Sequence, residues 1–321
     1  MELGIETIVD GTILEKGIVA IDAKIFSDII RKLPDNDVTI ETDGNLTTTI
    51  TCEKAKFSIS GQSGEEFSYL PYVERDNHIV VSQFTLKEVI RQTIFSIAAN
   101  ENNKMMTGEL FEVKGDMLRV VSLDGHRISI RKIELKEEYS DIKVVVPGKT
   151  LSEVLKLLKD SEGEVEICPS RRHILFRIDN YTVISALLEG EFLDYKSALP
   201  KDKKTEVTVS TRTMIESVER VSLLITDRLK SPVRCVIGED TVKLFCTTTM
   251  GRAIDQISAE ISGDQLEIGF NNKYLLDALR AAETDEVRLQ LGGPISPMLV
   301  LPKEGDAFSF LVLPVRLRSE M

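Results

Sequence analysis

With 321 residues, 42% of them hydrophobic and 29% charged, and a mean hydropathy near zero, the chain has the profile of a soluble globular protein long enough for two or three domains. Its net charge of −12 taken alone argues against a nucleic-acid partner, because an acidic surface repels a polyanion. Net charge is a sum over the surface, though, and a local basic stripe can coexist with an acidic exterior. No run of about 18 apolar residues occurs that would cross a membrane, and the start Met1-Glu2-Leu3-Gly4 has no basic region of a secretion signal. Four cysteines, Cys52, Cys168, Cys235 and Cys246, show no CxxC spacing and lie in strand-like runs, which fits reduced, buried thiols better than disulfides or zinc. A cytoplasmic protein is expected.

In chain order, the first pattern is the short apolar strand Val19-Ala20-Ile21, followed by Lys24-Ile25-Phe26-Ser27-Asp28-Ile29-Ile30 as a helix and Val38-Thr39-Ile40 as a strand. A Thr-rich alternating strand, Leu46 to Thr51, the strand Lys56-Phe57-Ser58-Ile59 and the ending Phe67-Ser68-Tyr69-Leu70-Pro71 complete this segment. A new element opens at Val81: an amphipathic helix with Leu86, Val89, Ile90, Ile94 and Ile97 on one side and Ser82 as its cap. Turn chemistry at Val113-Lys114-Gly115-Asp116-Met117-Leu118 reads as a hairpin. Next come the strand Val144-Val145-Val146, a turn at Pro147-Gly148, a helix opening near Lys149, and a strand from Glu164. The Val81 helix recurs 128 residues later at Val209, and its hairpin recurs at Ile237-Gly238-Glu239-Asp240-Thr241-Val242. Last, Leu266-Glu267-Ile268 leads into Lys273-Tyr274-Leu275-Leu276-Asp277-Ala278-Leu279 and Val287-Arg288-Leu289.

The strand-helix-strand unit therefore occurs three times, its lysines Lys24, Lys149 and Lys273 standing 125 and 124 residues apart. That period is too long for a solenoid and right for a repeated domain. Offsets of two, five, six and nine from each lysine form one apolar stripe: Phe26, Ile29, Ile30, Leu33; Leu151, Val154, Leu155, Leu158; Leu275, Ala278, Leu279, Ala282. Seven residues after each lysine, on the lysine's own side, comes a second base: Arg31, Lys156 and Arg280. On any one helix this is ordinary solvated charge. Its repetition at matched positions points to a shared cationic surface. The expected fold is α+β, with two helices on one side of an antiparallel sheet in each complete unit, and domains at 1–79, 80–204 and 205–321. By register Met1 aligns near Gly125, so roughly 45 residues present in the other units are missing from the first, judged against a domain-sized repeat. A half-domain leaves an apolar helix face and a sheet edge uncovered, and a shortened chain is the expectation.

The three units, the turn Leu123-Asp124-Gly125-His126-Arg127, the stretch Glu189-Gly190-Glu191-Phe192-Leu193-Asp194-Tyr195 and the end Leu313-Pro314-Val315-Arg316-Leu317 together resemble the bacterial DNA polymerase III beta subunits, the sliding clamps. The resemblance implies a processivity factor: two three-domain protomers joined head to tail in a ring, helices inward around double-stranded DNA. It places Lys24, Arg31, Lys149, Lys156, Lys273 and Arg280 on the inner wall, with Asn100 and Lys104 on a DNA-contacting loop. Lysine and arginine there would meet phosphates without reading sequence. It also implies an apolar pocket for partner peptides, lined by Met106, Leu123, Gly125, His126, Arg127, Ile128, Leu193, Ala198, Leu311, Leu313, Pro314, Val315 and Arg316. Its visitors would be the replicative polymerase alpha subunit, the clamp-loader complex and other proteins bearing clamp-binding motifs. For the homodimer interface it implies Phe57 and Ile59 against Leu223 and Leu224. Independently, consecutive Leu223-Leu224-Ile225 makes its helix apolar over too wide an arc for one buried face.

Catalysis is not expected. His126 beside Asp124 and Arg127 is a lone turn histidine, His78 and His173 are isolated, and neither GxxxxGK[ST] nor GxGxxG occurs. No cofactor or metal is implied.

Overall fold

The computed structural model describes residues 2–67, 69–73, 78–99, 103–200, 202–226 and 228–317, with the backbone alone at Glu66. It contains two compact units, residues 8–72 and residues 2–7 with 73–321. The strand β1 (Leu3–Thr7) belongs to the second.

The smaller unit runs β2 (Val19–Ala20), α1 (Ala23–Ile30), β3 (Thr39–Thr42), β4 (Thr47–Cys52), β5 (Ala55–Ser60) and β6 (Gln62–Ser63). Asp22 caps α1 by accepting from the Ile25 amide at 2.7 Å. Strands β3, β4 and β5 form an antiparallel sheet in that order, so β3 and β5 are its edges. The apolar stripe expected for α1 is only partly covered here: Ile29 is buried, Phe26 and Leu33 are half-buried, and Ile30 is 38% exposed. The reason is local, since the described residues of this unit contain no second α-helix to pack beside α1.

The larger unit begins with β7 (Ile79–Ser82), α2 (Gln83–Arg91), β8 (Gly108–Leu123), β9 (Arg127–Pro147) and α3 (Gly148–Leu157). Strands β10 (Glu164–Pro169), β11 (His173–Ile178) and β12 (Tyr181–Ala186) follow. Then come β13 (Thr205–Ser210), α4 (Thr211–Ser222), β14 (Val233–Ile237), β15 (Thr241–Thr248), β16 (Gly251–Ser258) and β17 (Glu260–Gly263). The chain closes with β18 (Leu266–Phe270), α5 (Asn272–Ala282), β19 (Glu286–Leu291), β20 (Met298–Pro302) and β21 (Phe308–Val312). As expected, Ser82 caps α2 by accepting from the Thr85 amide at 3.1 Å, and Ser210 repeats the device on α4. Gly148 opens α3 because nothing larger fits: a Cβ there would lie 2.3 Å from Ile97 Cδ1 and 3.0 Å from the Thr107 carbonyl.

From β13 onward the unit consists of two strand-helix-three-strand halves that exchange their first strands. β13 pairs with β19 of the second half, while β18 pairs with β14 of the first, and α4 packs beside α5. The preceding segment repeats this, with β7 on β10, the ends of β8 and β9 together, and α2 beside α3. Each repeat has its own core under its helix pair, one around Leu86, Val154, Ile167 and Phe176, the other around Val218, Ile268, Leu275 and Phe310. The hairpin expected at Gly238–Asp240 joins β14 to β15. Its counterpart at Gly115 differs. There β8 stays paired with β9 along its length, with register shifts on either side of Gly115. The four cysteines are buried. Among the described residues no helix is long and apolar enough to cross a membrane.

Two junctions tie successive repeats together by strand pairing. The start of β9 adds to β21, with Ile128 opposite Leu311, and β1 adds to β12, with Leu3 opposite Ser185. At the first junction a third apolar cluster forms from Leu110, Leu123, Ile128, Phe192, Tyr195 and Leu311.

Candidate functional site

The residues singled out by the sequence fall into two groups. The first lies on the exposed sides of individual helices. Lys24 on α1, Lys149 on α3 and Lys273 on α5 each occupy the second helical position and are exposed, as are Arg31, Lys156 and Arg280 two turns on. The stripes opposite them on α3 and α5 are buried apart from half-buried Leu155. The six bases are not equivalent. Glu153 accepts from Lys156 at 2.7 and 2.9 Å, and Glu219 of the neighbouring α4 accepts from Arg280 at 2.6 Å. Lys24, Arg31, Lys149 and Lys273 have no ion-pair partner among the described residues. Exposed pairs contribute only about 0–1 kcal/mol, so a phosphate can displace Glu153 or Glu219 at small cost. Lys104 is exposed in a short turn whose neighbour Met105 is buried, and Asn100 lies outside the described residues.

The second group lies at the junction of β9 with β21. It is built around the turn after β8, where Gly125 takes a φ of +87° that a side chain would oppose. Asp124 Oδ1 accepts from the amides of His126 at 2.9 Å and Arg127 at 3.1 Å, and its Oδ2 accepts from Arg127 Nε at 3.0 Å. Arg127 also donates to Asp277 of α5 at 2.6 Å, and its guanidinium lies 4.6 Å from the ring centre of Tyr274 and 5.5 Å from that of Phe95. His126 stacks on Tyr274 at 5.7 Å, and its carbonyl accepts from the Leu313 amide at 2.9 Å. Val315 donates to the Gly269 carbonyl at 2.8 Å. The turn and the C-terminal segment are thereby fixed side by side. Next to them, Glu112 holds the linker after β12: Tyr195 donates to it at 3.3 Å, Arg119 at 2.7 Å, and Lys196 lies 3.6 Å away. Burial pushes the Glu112 carboxyl up, but Arg119 and Lys196 outweigh that and hold it below the usual carboxylate range.

Family models describing the N-terminal, central and C-terminal domains of the DNA polymerase III beta subunit match residues 1–71, 80–194 and 196–316. The beta sliding clamp of Staphylococcus epidermidis is 32% identical over 322 residues, covering 98% of this chain and 85% of its own length. The chain belongs to the DNA polymerase III beta-subunit family, the sliding clamps. A crystallised DNA polymerase III beta subunit from Eubacterium rectale superposes with a TM-score of 0.94 at 52% identity, covering 98% of this chain and 86% of that one. The DNA polymerase sliding clamp from Bacillus subtilis gives 0.95 at 31%, covering 99% and 87%. The function that follows is that of a replication processivity factor, which has no catalytic activity of its own.

Within this clamp fold the residues expected at the peptide pocket separate into two layers. Gly125, His126, Leu193, Ala198, Leu313, Val315 and Arg316 are exposed, and Met106 and Pro314 are half-buried. Leu123, Arg127, Ile128 and Leu311 are not surface residues: they are 5%, 7%, 7% and 2% exposed. They form the floor, because strand pairing with β21 closes over them and Arg127 is spent on Asp124 and Asp277. Sequence reading missed Tyr274, Asp277 and Phe95, which lie far from the turn in the chain. The available signal was an aspartate one helical turn after Lys273 and a tyrosine beside that lysine on α5. Of the interface residues, Phe57 is 38% and Leu223 80% exposed, while Ile59 and Leu224 are half-buried. Met250 and Ile254, 71% and 52% exposed, were also missed. Among the described residues no cluster of His, Cys, Asp or Glu is placed to hold a metal ion.

Proposed function

We propose that this clamp is a cytoplasmic head-to-tail homodimer that closes a ring around duplex DNA, slides without sequence preference, and tethers its partners by peptides docked beside Leu313. The partition into domains at 1–79, 80–204 and 205–321 belongs to the same reading. One observation carries the ring: the strand junction repeats in register. Leu3 and Ile128 are one repeat apart, 125 residues, and their partners Ser185 and Leu311 are 126 apart. The turn residues Glu53 and Asp179, with φ of 49° and 50°, keep the same 126-residue step. Extending the first series by the 124 residues that separate Lys149 from Lys273, and the second back by 126 residues, brings Arg252 of β16 opposite Ile59 of β5, and so Ile254 opposite Phe57. Both β5 and β16 are edge strands of their sheets. An exposed edge with apolar side chains is a template for pairing with another chain. Leu223 and Met250 extend the apolar surface on the same repeat as β16.

The cationic helices then supply phosphate contacts that position without specifying. Retention on DNA comes from topology, and weak exchangeable contacts permit sliding. The acidic net charge disfavours DNA on other surfaces. Polymerase alpha subunit, clamp loader and other motif-bearing proteins are the proposed visitors to the exposed layer of the pocket, as extended segments with leucine and aromatic anchors. The test uses clamp loaded on nicked circular DNA. It should stay bound until the circle is linearised and then be lost. Retention indifferent to linearisation removes the ring reading.

A further inference from the structure

The geometry points to Asp277 as a positioning residue of the peptide pocket, acting from α5 through Arg127 on the backbone that presents Leu313. The inference rests on the reading of that pocket as the peptide site. A continuous line of contacts supports it. Asp277 accepts from Arg127 Nη1 at 2.6 Å, and Arg127 Nε donates to Asp124 Oδ2 at 3.0 Å. Asp124 in turn holds the amides of His126 and Arg127, and the His126 carbonyl takes the Leu313 amide at 2.9 Å. No link in this line needs the peptide.

Three features make Asp277 more than another ion-pair partner. Arg127 is nearly out of water, its side chain 8% exposed, while Asp277 at 23% is still wet. Charge-assisted contacts at a desolvated guanidinium are stronger than surface ones, and removing one carboxylate leaves a buried cation half-compensated. The guanidinium plane is also held over Tyr274, whose ring stacks on His126. Tilting Arg127 therefore moves the imidazole and the turn together. Finally, Asp277 lies one helical turn after Lys273 on the same helix, so α5 carries a DNA-facing base and the anchor of the peptide site.

Asp277 makes none of the pocket's exposed surface contacts. Its effect is preorganisation: with the turn fixed, an incoming segment meets Leu313, Val315 and His126 already aligned and loses less entropy on docking.

The test measures a fluorescent peptide with a Leu-Phe anchor by anisotropy on the full chain. Asp277→Asn should weaken binding about 10-fold, the size expected when one charge-assisted contact of a buried arginine is lost. Asp277→Glu, which restores the charge, should recover most of the loss. The His126 ring signals in NMR spectra should shift in Asp277→Asn without peptide, because the stack on Tyr274 is disturbed. A purely structural role predicts equal losses in Asn and Glu variants with a parallel fall in melting temperature, and that pattern overturns the proposal. Wild-type affinity in Asp277→Asn overturns it as well. If Asp277→Asn does not fold, Asp277→Glu decides: an unmoved His126 resonance and weakened binding count against positioning. Leu313→Asp separates the two readings. If it abolishes binding while Asp277→Asn does nothing, the pocket stands and the positioning role falls; if it does nothing, the pocket itself is misplaced.

Discussion

Glu109 is a buried carboxyl that the function does not use, and its environment fixes its protonation. It is fully buried, and burial pushes its pKa up to about 8, against a smaller opposing effect from Thr93. Proton counting agrees. Thr93 Oγ1 lies 2.9 Å from Glu109 Oε2 and 2.7 Å from the Val89 carbonyl, and its single proton serves one of them. A protonated carboxyl supplies the other. Because the folded pKa exceeds the unfolded value, this stabilisation is complete below about 4.5 and is lost as pH rises toward 8. Glu109→Gln keeps the shape and cannot ionise. Its melting temperature should exceed that of the wild type at pH 8 and match it at pH 4, and parallel pH profiles for the two proteins would show that Glu109 does not bind the linked proton. By contrast Cys235, whose thiol burial pushes up to about 12, stays neutral throughout this range.

Among the elements, the edge strands β5 and β16 decide assembly. Their predicted register sets Phe57 opposite Ile254, where opposite charges stabilise and like charges repel. Ile254→Lys should weaken dimerisation on the order of 10-fold or more, the loss of one apolar side chain's burial. Adding Phe57→Glu should restore it, as followed by sedimentation. Failure of the pair to recover the dimer means the register is wrong, even if the single variant dissociates. Leu223→Lys, at the end of α4, tests the same face from the helix side and should yield monomer. The edge itself was not legible in the sequence, since β16 reads like any alternating strand. It became visible when the pairing order showed which strands had one neighbour.

Across the whole molecule, the distribution of charge governs behaviour on DNA. Lys149 and Lys273 lack carboxylate partners among the described residues, whereas Lys156 and Arg280 have them. Replacing Lys149 and Lys273 together by glutamine should reduce the slope of log affinity against log salt by roughly 3 to 4, one phosphate contact for each of the four lysines in the dimeric ring. Replacing Lys156 and Arg280 should change it less, because releasing Glu153 and Glu219 from their bases offsets part of the phosphate contact. Equal slopes for all three proteins would place the unpaired lysines away from the DNA.

The triplicated helix, the caps of α2 and α4 at Ser82 and Ser210, the apolar stripes and the matched bases were all determined by the sequence, because each depends on spacing within one element. The cores of α3 and α5 follow from the same periodicity. Only the tertiary structure decided that Arg280 is already paired with Glu219 of a neighbouring helix, that Leu123, Arg127, Ile128 and Leu311 are buried rather than surface residues, and that Arg127 donates to Asp277, 150 residues away in the chain. Those outcomes depend on contacts between elements distant in the chain, and local periodicity carries no information about which distant side chain fills the last coordination position of a buried charge.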